Sequence, residues 1–140
     1  MMSIERKVGR LGEVRFSSPI SASDIESFTA GVVTVIKGAK EKLVFCSDMR
    51  RADVMLPEYA DRLIKLLRND NPMIERHGIL IGDRAAFGLQ IDRMVREAGN
   101  PSRRIFREMS DLQSWLHPLL TVDEVARAVA FYAEADLARR

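Results

Sequence analysis

Leu43-Val44-Phe45-Cys46 and Gly78-Ile79-Leu80-Ile81-Gly82 decide the fold. Each is a short continuous apolar run, and such a run suits a strand covered on both faces, as in a parallel sheet. Helical patterns surround them. Before the first run, Ser23 and Glu26 have capping-box spacing, and Ile25, Phe28, Val32, Val35 and Ile36 recur at helical intervals up to Gly38. Between the runs, Pro57 opens a helix with Tyr59, Leu63, Leu66 and Leu67 as its buried stripe, closed by Asn69 to Pro72. After the second run, Asp83 is placed to cap a helix whose apolar face is Phe87, Ile91, Met94, Val95 and Ala98, with Gly99 as its stop.

Further out, Val14 and Phe16 alternate with Glu13 and Arg15, the period of a half-buried strand, with a hairpin turn expected near Gly9 to Gly12. Arg104-Ile105-Phe106-Arg107 alternates as an outer strand does. Ser110 with Gln113 and Thr121 with Glu124 form two more capping boxes. The first introduces a short helix carrying Leu112, Trp115, Leu116 and Leu119, the second a C-terminal helix carrying Val125, Val129 and Tyr132. The expectation is α/β: a mixed four- or five-stranded sheet flanked by helices, centred on Val44, Phe45, Leu80 and Ile81 and packed through Phe28, Leu63, Ile91 and Trp115. Residues 1–140 are expected to form one domain, with 121–140 as a C-terminal helical extension.

Composition narrows the function. A 46% hydrophobic and 30% charged content is that of a globular chain rather than a disordered one. The net charge of +2 is far below the level of a nucleic-acid-binding surface, so no nucleic-acid partner is expected. The charge is polarised: residues 84–107 hold six arginines against two acids, residues 108–140 three arginines against six acids. One cysteine excludes an internal disulfide and a cysteine zinc site. The charged N-terminal stretch has no apolar signal core, and no run approaches membrane-spanning length. A cytoplasmic protein without integral membrane association is expected.

Three stretches resemble the STAS domain, the fold of anti-sigma-factor antagonists, and are closer to the divergent SpoIIAA-like bacterial proteins of that superfamily. They are Pro19-Ile20-Ser21-Ala22-Ser23-Asp24-Ile25, the run Leu43 to Cys46 leading into Asp48, and Phe106-Arg107-Glu108-Met109-Ser110-Asp111-Leu112-Gln113-Ser114-Trp115-Leu116. The likeness spans most of residues 5–120 and implies a regulatory module. The phosphorylated antagonists carry Asp-Ser-Ser/Thr-Gly where a helix N-terminus holds the phosphate. Here that region reads Ser47-Asp48-Met49-Arg50-Arg51-Ala52-Asp53-Val54-Met55-Leu56-Pro57, with no Ser or Thr beside the helix start, so the phosphorylation switch does not carry over. Ser47 is a stand-in about ten residues too early.

No catalytic constellation is legible. Cys46 ends an apolar run, and Ala52 stands where a phosphatase loop needs arginine. His77 and His117 share no metal spacing and have no evident serine partner; they read as surface or capping residues. No cofactor and no metal is expected. The candidate contacts are Asp48, Arg50, Arg51, Asp83 and Arg84, all placed at the C-terminal ends of central strands, where open α/β sheets collect ligands. The arginine forks suit carboxylates and phosphates. The reading is a noncatalytic regulatory or scaffold module acting through a protein partner in bacterial signalling; the alternative is a small-ligand or anion-binding module at the same edge. A homodimer is also foreseen, through a Val122, Val125, Val129 and Tyr132 stripe on the acidic C-terminal helix, set against the basic stretch of a second copy.

Overall fold

The apolar runs become the two central strands because helices cover both sides of them. The computed structural model describes residues 1–138. In chain order the elements are β1 (Met2–Glu5), β2 (Leu11–Ser17), α1 (Ala22–Gly38), β3 (Leu43–Arg51), α2 (Pro57–Asp70), β4 (Ile74–Ile81), α3 (Ala85–Ala98), β5 (Arg103–Phe106), α4 (Met109–Leu116) and α5 (Val122–Ala138), with single 3-10 turns at Asn71–Met73 and His117–Leu119. The sheet is mixed and five-stranded, and its spatial order follows the sequence, β1 to β5. β1 is antiparallel to β2, and every other pair is parallel. Gly9 makes the tight return between β1 and β2 at φ 57°, a conformation that costs a residue with a Cβ. Gly12 lets β2 lie against the Phe45 ring, which a Cβ would meet at 2.4 Å.

The alternation of strand side chains divides the interior into two cores. On one face, Val14, Phe16, Phe45, Met49, Ile79 and Ile81 meet Ile25 and Phe28 of α1, Leu63 and Ile64 of α2, and Phe87, Ile91 and Met94 of α3. On the other, Leu11, Val44, Cys46 and Leu80 meet Leu112 and Leu116 of α4 and Ala128, Phe131 and Tyr132 of α5. Phe28, Leu63 and Ile91 therefore pack as expected. Trp115 is only partly buried and packs from outside against the second core, whose interior is filled by Leu112 and Leu116 on the inward side of the short helix.

Helix boundaries differ from the expectation in three places. α1 is capped by Ser21, whose side chain accepts from the Asp24 amide while Asp24 accepts from the Ser21 amide, so the capping box sits two residues before Ser23 and Glu26. Asp83 does not cap α3; Arg84 occupies the cap position without a side-chain bond. Ser110 and Gln113 do not box α4, whose N-cap is Glu108, two residues earlier, so that the helix begins at Met109. Thr121 and Glu124 do form their box, with Thr121 N donating to Glu124 at 2.8 Å and Glu124 N donating to Thr121 Oγ1 at 3.2 Å. Pro57 opens α2, and Gly99 closes α3 in the left-handed conformation. The Val122, Val125, Val129 and Tyr132 stripe is split: Tyr132 is buried in its own chain, while Val122 and Val129 are 84% and 46% exposed.

Leu80 is 2% exposed between the sheet and α4–α5. Leu80→Ala is expected to cost about 2–5 kcal/mol through lost burial and the cavity left behind. In urea unfolding the midpoint should fall with the slope unchanged. An unshifted midpoint would show that this strand is not central.

Candidate functional site

β3 does not stop at Cys46 but continues to Arg51, which places Asp48 and Arg50 within the strand, beneath α5. Asp48 is 3% exposed. Arg50 grips it as a fork, with Nε and Nη2 donating to the two carboxylate oxygens at 3.0 Å each and the Arg50 amide adding a third bond at 3.1 Å. Those bonds hold the Arg50 guanidinium above its ordinary range. The same guanidinium donates to Asp136 at 2.9 Å and to the Tyr132 carbonyl at 2.9 Å. Arg51 donates to the Ala135 carbonyl at 3.0 Å. Arg15, opposite Asp48 on β2, donates to the Phe131 carbonyl and lies 4.2 Å over the Phe131 ring.

Three arginines of β2 and β3 thus converge on carbonyls in the C-terminal half of α5. A fourth arginine points the other way: Arg127 of α5 donates both its Nε and Nη2 to the buried Glu13 carboxylate, at 3.0 Å each. These contacts clamp α5 to the sheet.

The five expected contact residues do not make one site. Asp48, Arg50 and Arg51 are engaged in the clamp. Arg84 stands apart, donating to Asp53 at 2.9 Å in a half-exposed pair, and Asp83 is exposed beside it. Burying Asp48 in the strand, rather than leaving it at the edge, is what separates them.

Two features escaped the sequence. The first is a polar network in the α1–α3 core. Ser47 and His77 are both buried, with Ser47 Oγ 2.6 Å from His77 Nε2. His77 is therefore not a surface histidine and does have a serine partner, supplied by the adjacent parallel strand. Arg103 Nε donates to His77 Nδ1 at 3.0 Å, and burial together with that cation keeps the ring well below its usual titration range. The neutral ring accepts at Nδ1, so its proton is on Nε2 and is donated to Ser47 Oγ. A nucleophilic serine needs the opposite polarity, with Nε2 accepting. Arg103 also donates to Asn71 Oδ1 at 2.8 Å, and Asn71 donates to the Ala98 carbonyl at 2.8 Å. Asp70, the last residue of α2, completes the group. Burial pushes its carboxyl up to about 6, against the pull of Arg103, and burial also lowers Arg103 to about 10. Burial likewise pushes the Cys46 thiol up, away from thiolate chemistry.

The second feature is an open groove of about 630 Å³ between Ser18–Ile20 and Asp53–Pro57, at the C-terminal ends of β2 and β3. The Asp53 amide donates to Ser18 Oγ at 2.7 Å. Gln90 of α3 holds both polar groups of Met55, accepting from its amide at 3.0 Å and donating to its carbonyl at 2.8 Å. Met55 points inward at 5% exposure, which turns Val54 and Leu56 outward at 51% and 53%. Nothing in the sequence marks Gln90 as the pin, since it is 35 positions from Met55. Among the described residues no group of three His, Cys, Asp or Glu side chains is arranged to hold a metal ion, and no helix is long and apolar enough to cross a membrane.

The architecture is a SpoIIAA-like α/β fold. It superimposes with a TM-score of 0.62 on the crystal structure of an uncharacterized DUF3478-family protein with a SpoIIAA-like fold from Shewanella loihica PV-4, covering 83% of this chain and 92% of that one at 19% identity. No family model matches the chain, and no curated protein matches it.

The clamp and the exposed pair predict opposite outcomes for similar mutations. Arg50→Ala leaves Asp48 buried without its fork and is expected to cost about 3 kcal/mol or more, whereas Arg84→Ala removes an exposed pair worth less than about 1 kcal/mol. Equal urea midpoints for the two variants would contradict the clamp.

Asp70 predicts a pH dependence. Its folded value lies above the ordinary 3.8, so the favourable contribution is complete below about pH 4 and is lost as pH rises through about 6. Asp70→Asn removes that loss and is expected to be more stable than the parent by about 1–3 kcal/mol at pH 7, with no advantage at pH 4. An advantage independent of pH, measured by urea unfolding at both values, would refute the assignment.

Proposed function

We propose that the protein is a noncatalytic regulatory or scaffold module of bacterial signalling that recognises a partner protein through the edge formed by Ser18–Ile20 and Asp53–Pro57. The observation that carries this reading is the rigid outward presentation of Val54 and Leu56. A loop free to relax would turn two large apolar side chains away from water, but the bonds to Ser18 and Gln90 hold this one with Met55 in and its neighbours out. An apolar pair fixed in advance reduces the ordering cost of association, the condition under which a few anchors dominate a protein contact. The SpoIIAA-like fold supports a regulatory role by analogy. The anion-binding alternative gains less, because Arg50 and Arg51 already donate to α5.

The test is recovery of partners from native lysate, identified by mass spectrometry, on the parent and on Val54→Asp/Leu56→Asp. Both positions are exposed, so the melt is expected to change little, while a genuine partner should be recovered at least about tenfold less. Undiminished recovery by the folded double variant would remove this edge from the function.

A further inference from the structure

α4 and α5 lie side by side on one face of the sheet, α4 over β4–β5 and α5 over β2–β3. Their outward surfaces differ in kind. Around α4, two guanidinium groups lie over the partly exposed Trp115 indole, Arg76 at 4.7 Å and Arg104 at 5.2 Å from the ring centre, with the Phe106 ring 5.5 Å away. Arg76 donates to the Trp115 carbonyl, and Arg104 is exposed; neither pairs with a carboxylate among the described residues. Stacking on a shared indole fixes both cations in place and leaves N–H edges free for an anionic group. Around α5 the balance is reversed. Its described residues hold four carboxylates against one arginine. Glu124 is buried in its cap, and Glu134 and Asp136 are exposed but pair with Arg127 and Arg50 of the same chain. Asp123, in the first turn, is exposed with no partner among the described residues. Val122, Ala126, Val129 and Ala133 are exposed with them at four-three-four spacing, which is one face of a helix, opposite the inward Ala128, Phe131, Tyr132 and Ala135.

We propose that this helix layer is a homodimer surface, in which α5 of each copy packs on the Trp115, Arg76 and Arg104 patch of the other. The occupant is a second copy because the chain carries both halves of a complementary pair on one face. Within one chain the halves lie side by side and do not cover each other. A two-fold axis lying in the contact plane, parallel to the sheet and along the seam between α4 and α5, sets the α5 helix of each copy over the basic aromatic patch of the other and closes the assembly at two. The surface is separate from the Val54–Leu56 edge, so the two readings stand or fall independently.

Sedimentation of the full chain, from micromolar to near-millimolar concentration, tests this in three samples. The parent is expected to dimerise, with a dissociation constant raised at least about tenfold on going from low to high salt. Arg76→Glu/Arg104→Glu and Asp123→Lys/Ala126→Lys are each expected to be monomeric, since each sets like charges against each other at both contacts; Asp123 and Ala126 are exposed and take no part in the clamp. Their equimolar mixture should form a one-to-one heterodimer, because reversed patch then meets reversed helix and native meets native. Should the Arg76 change impair folding, Arg104→Glu alone serves, since that side chain is exposed and makes no hydrogen bond to an acceptor among the described residues. A parent that stays monomeric at both salt concentrations would assign the face to another occupant and overturn the proposal. Variants that still dimerise alone, or a mixture that does not associate, would also overturn it.

Discussion

Asp48 carries a charge in the middle of a sheet face, almost without access to water. A buried carboxylate is tolerated only when its hydrogen-bonding capacity is filled, and here the Arg50 fork fills it. That single requirement organises one side of the molecule. A guanidinium held by Asp48 has a fixed direction, and its remaining donors point at Tyr132 and Asp136 of α5. Arg15 and Arg51 add bonds to neighbouring carbonyls, while Arg127 reaches back to the buried Glu13. α5 is consequently held by two unlike means along its length. Ala128, Phe131 and Tyr132 pack on the apolar floor of Leu11, Val44, Cys46 and Leu80, and the arginines fasten the half that lies over charged strand residues.

Ser47 joins the two faces of the sheet. Its carbonyl accepts from the Tyr132 hydroxyl at 3.1 Å on the α5 side, and its own hydroxyl meets His77 on the other. From His77 the network continues through Arg103 and Asn71 to the end of α3. The proton arrangement explains why a serine and a histidine at hydrogen-bond distance form a structural pair. An arginine behind the ring makes Nδ1 an acceptor and leaves Nε2 as the donor, whereas a carboxylate in that place would have prepared Nε2 to receive the serine proton. The polar groups sit at the margin of a cavity of about 30 Å³ in the larger core, where Asp70 and His77 are its polar lining.

The arrangement separates support from contact. The buried charges hold α5 and the sheet, while the exposed apolar groups, Val54 and Leu56 at the strand edge and Val122 and Val129 on α5, stand on elements fixed from below. Surfaces held in this way have their shape set in advance of any contact, which lowers the ordering cost of association.

The sequence by itself determined the class of fold and most of the helix positions. Leu43–Cys46 and Ile79–Ile81 are apolar because both faces of each strand are covered, and the periodicities of Phe28, Leu63 and Ile91 report their burial directly. Pro57, Gly99 and the Thr121–Glu124 box mark boundaries through interactions that span only a few residues. The site was legible only in part, because its meaning lies in pairs distant along the chain. Arg50 and Arg51 read as free cations until α5 brings its carbonyls over them, 82 and 84 positions away. His77 reads as a surface residue until strand pairing sets it beside Ser47 and Arg103, and Val54 and Leu56 read as ordinary loop residues until Gln90 pins Met55 between them. Local pattern encodes which face of an element is buried; which charged group meets which is decided only when the sheet register and helix docking bring them together.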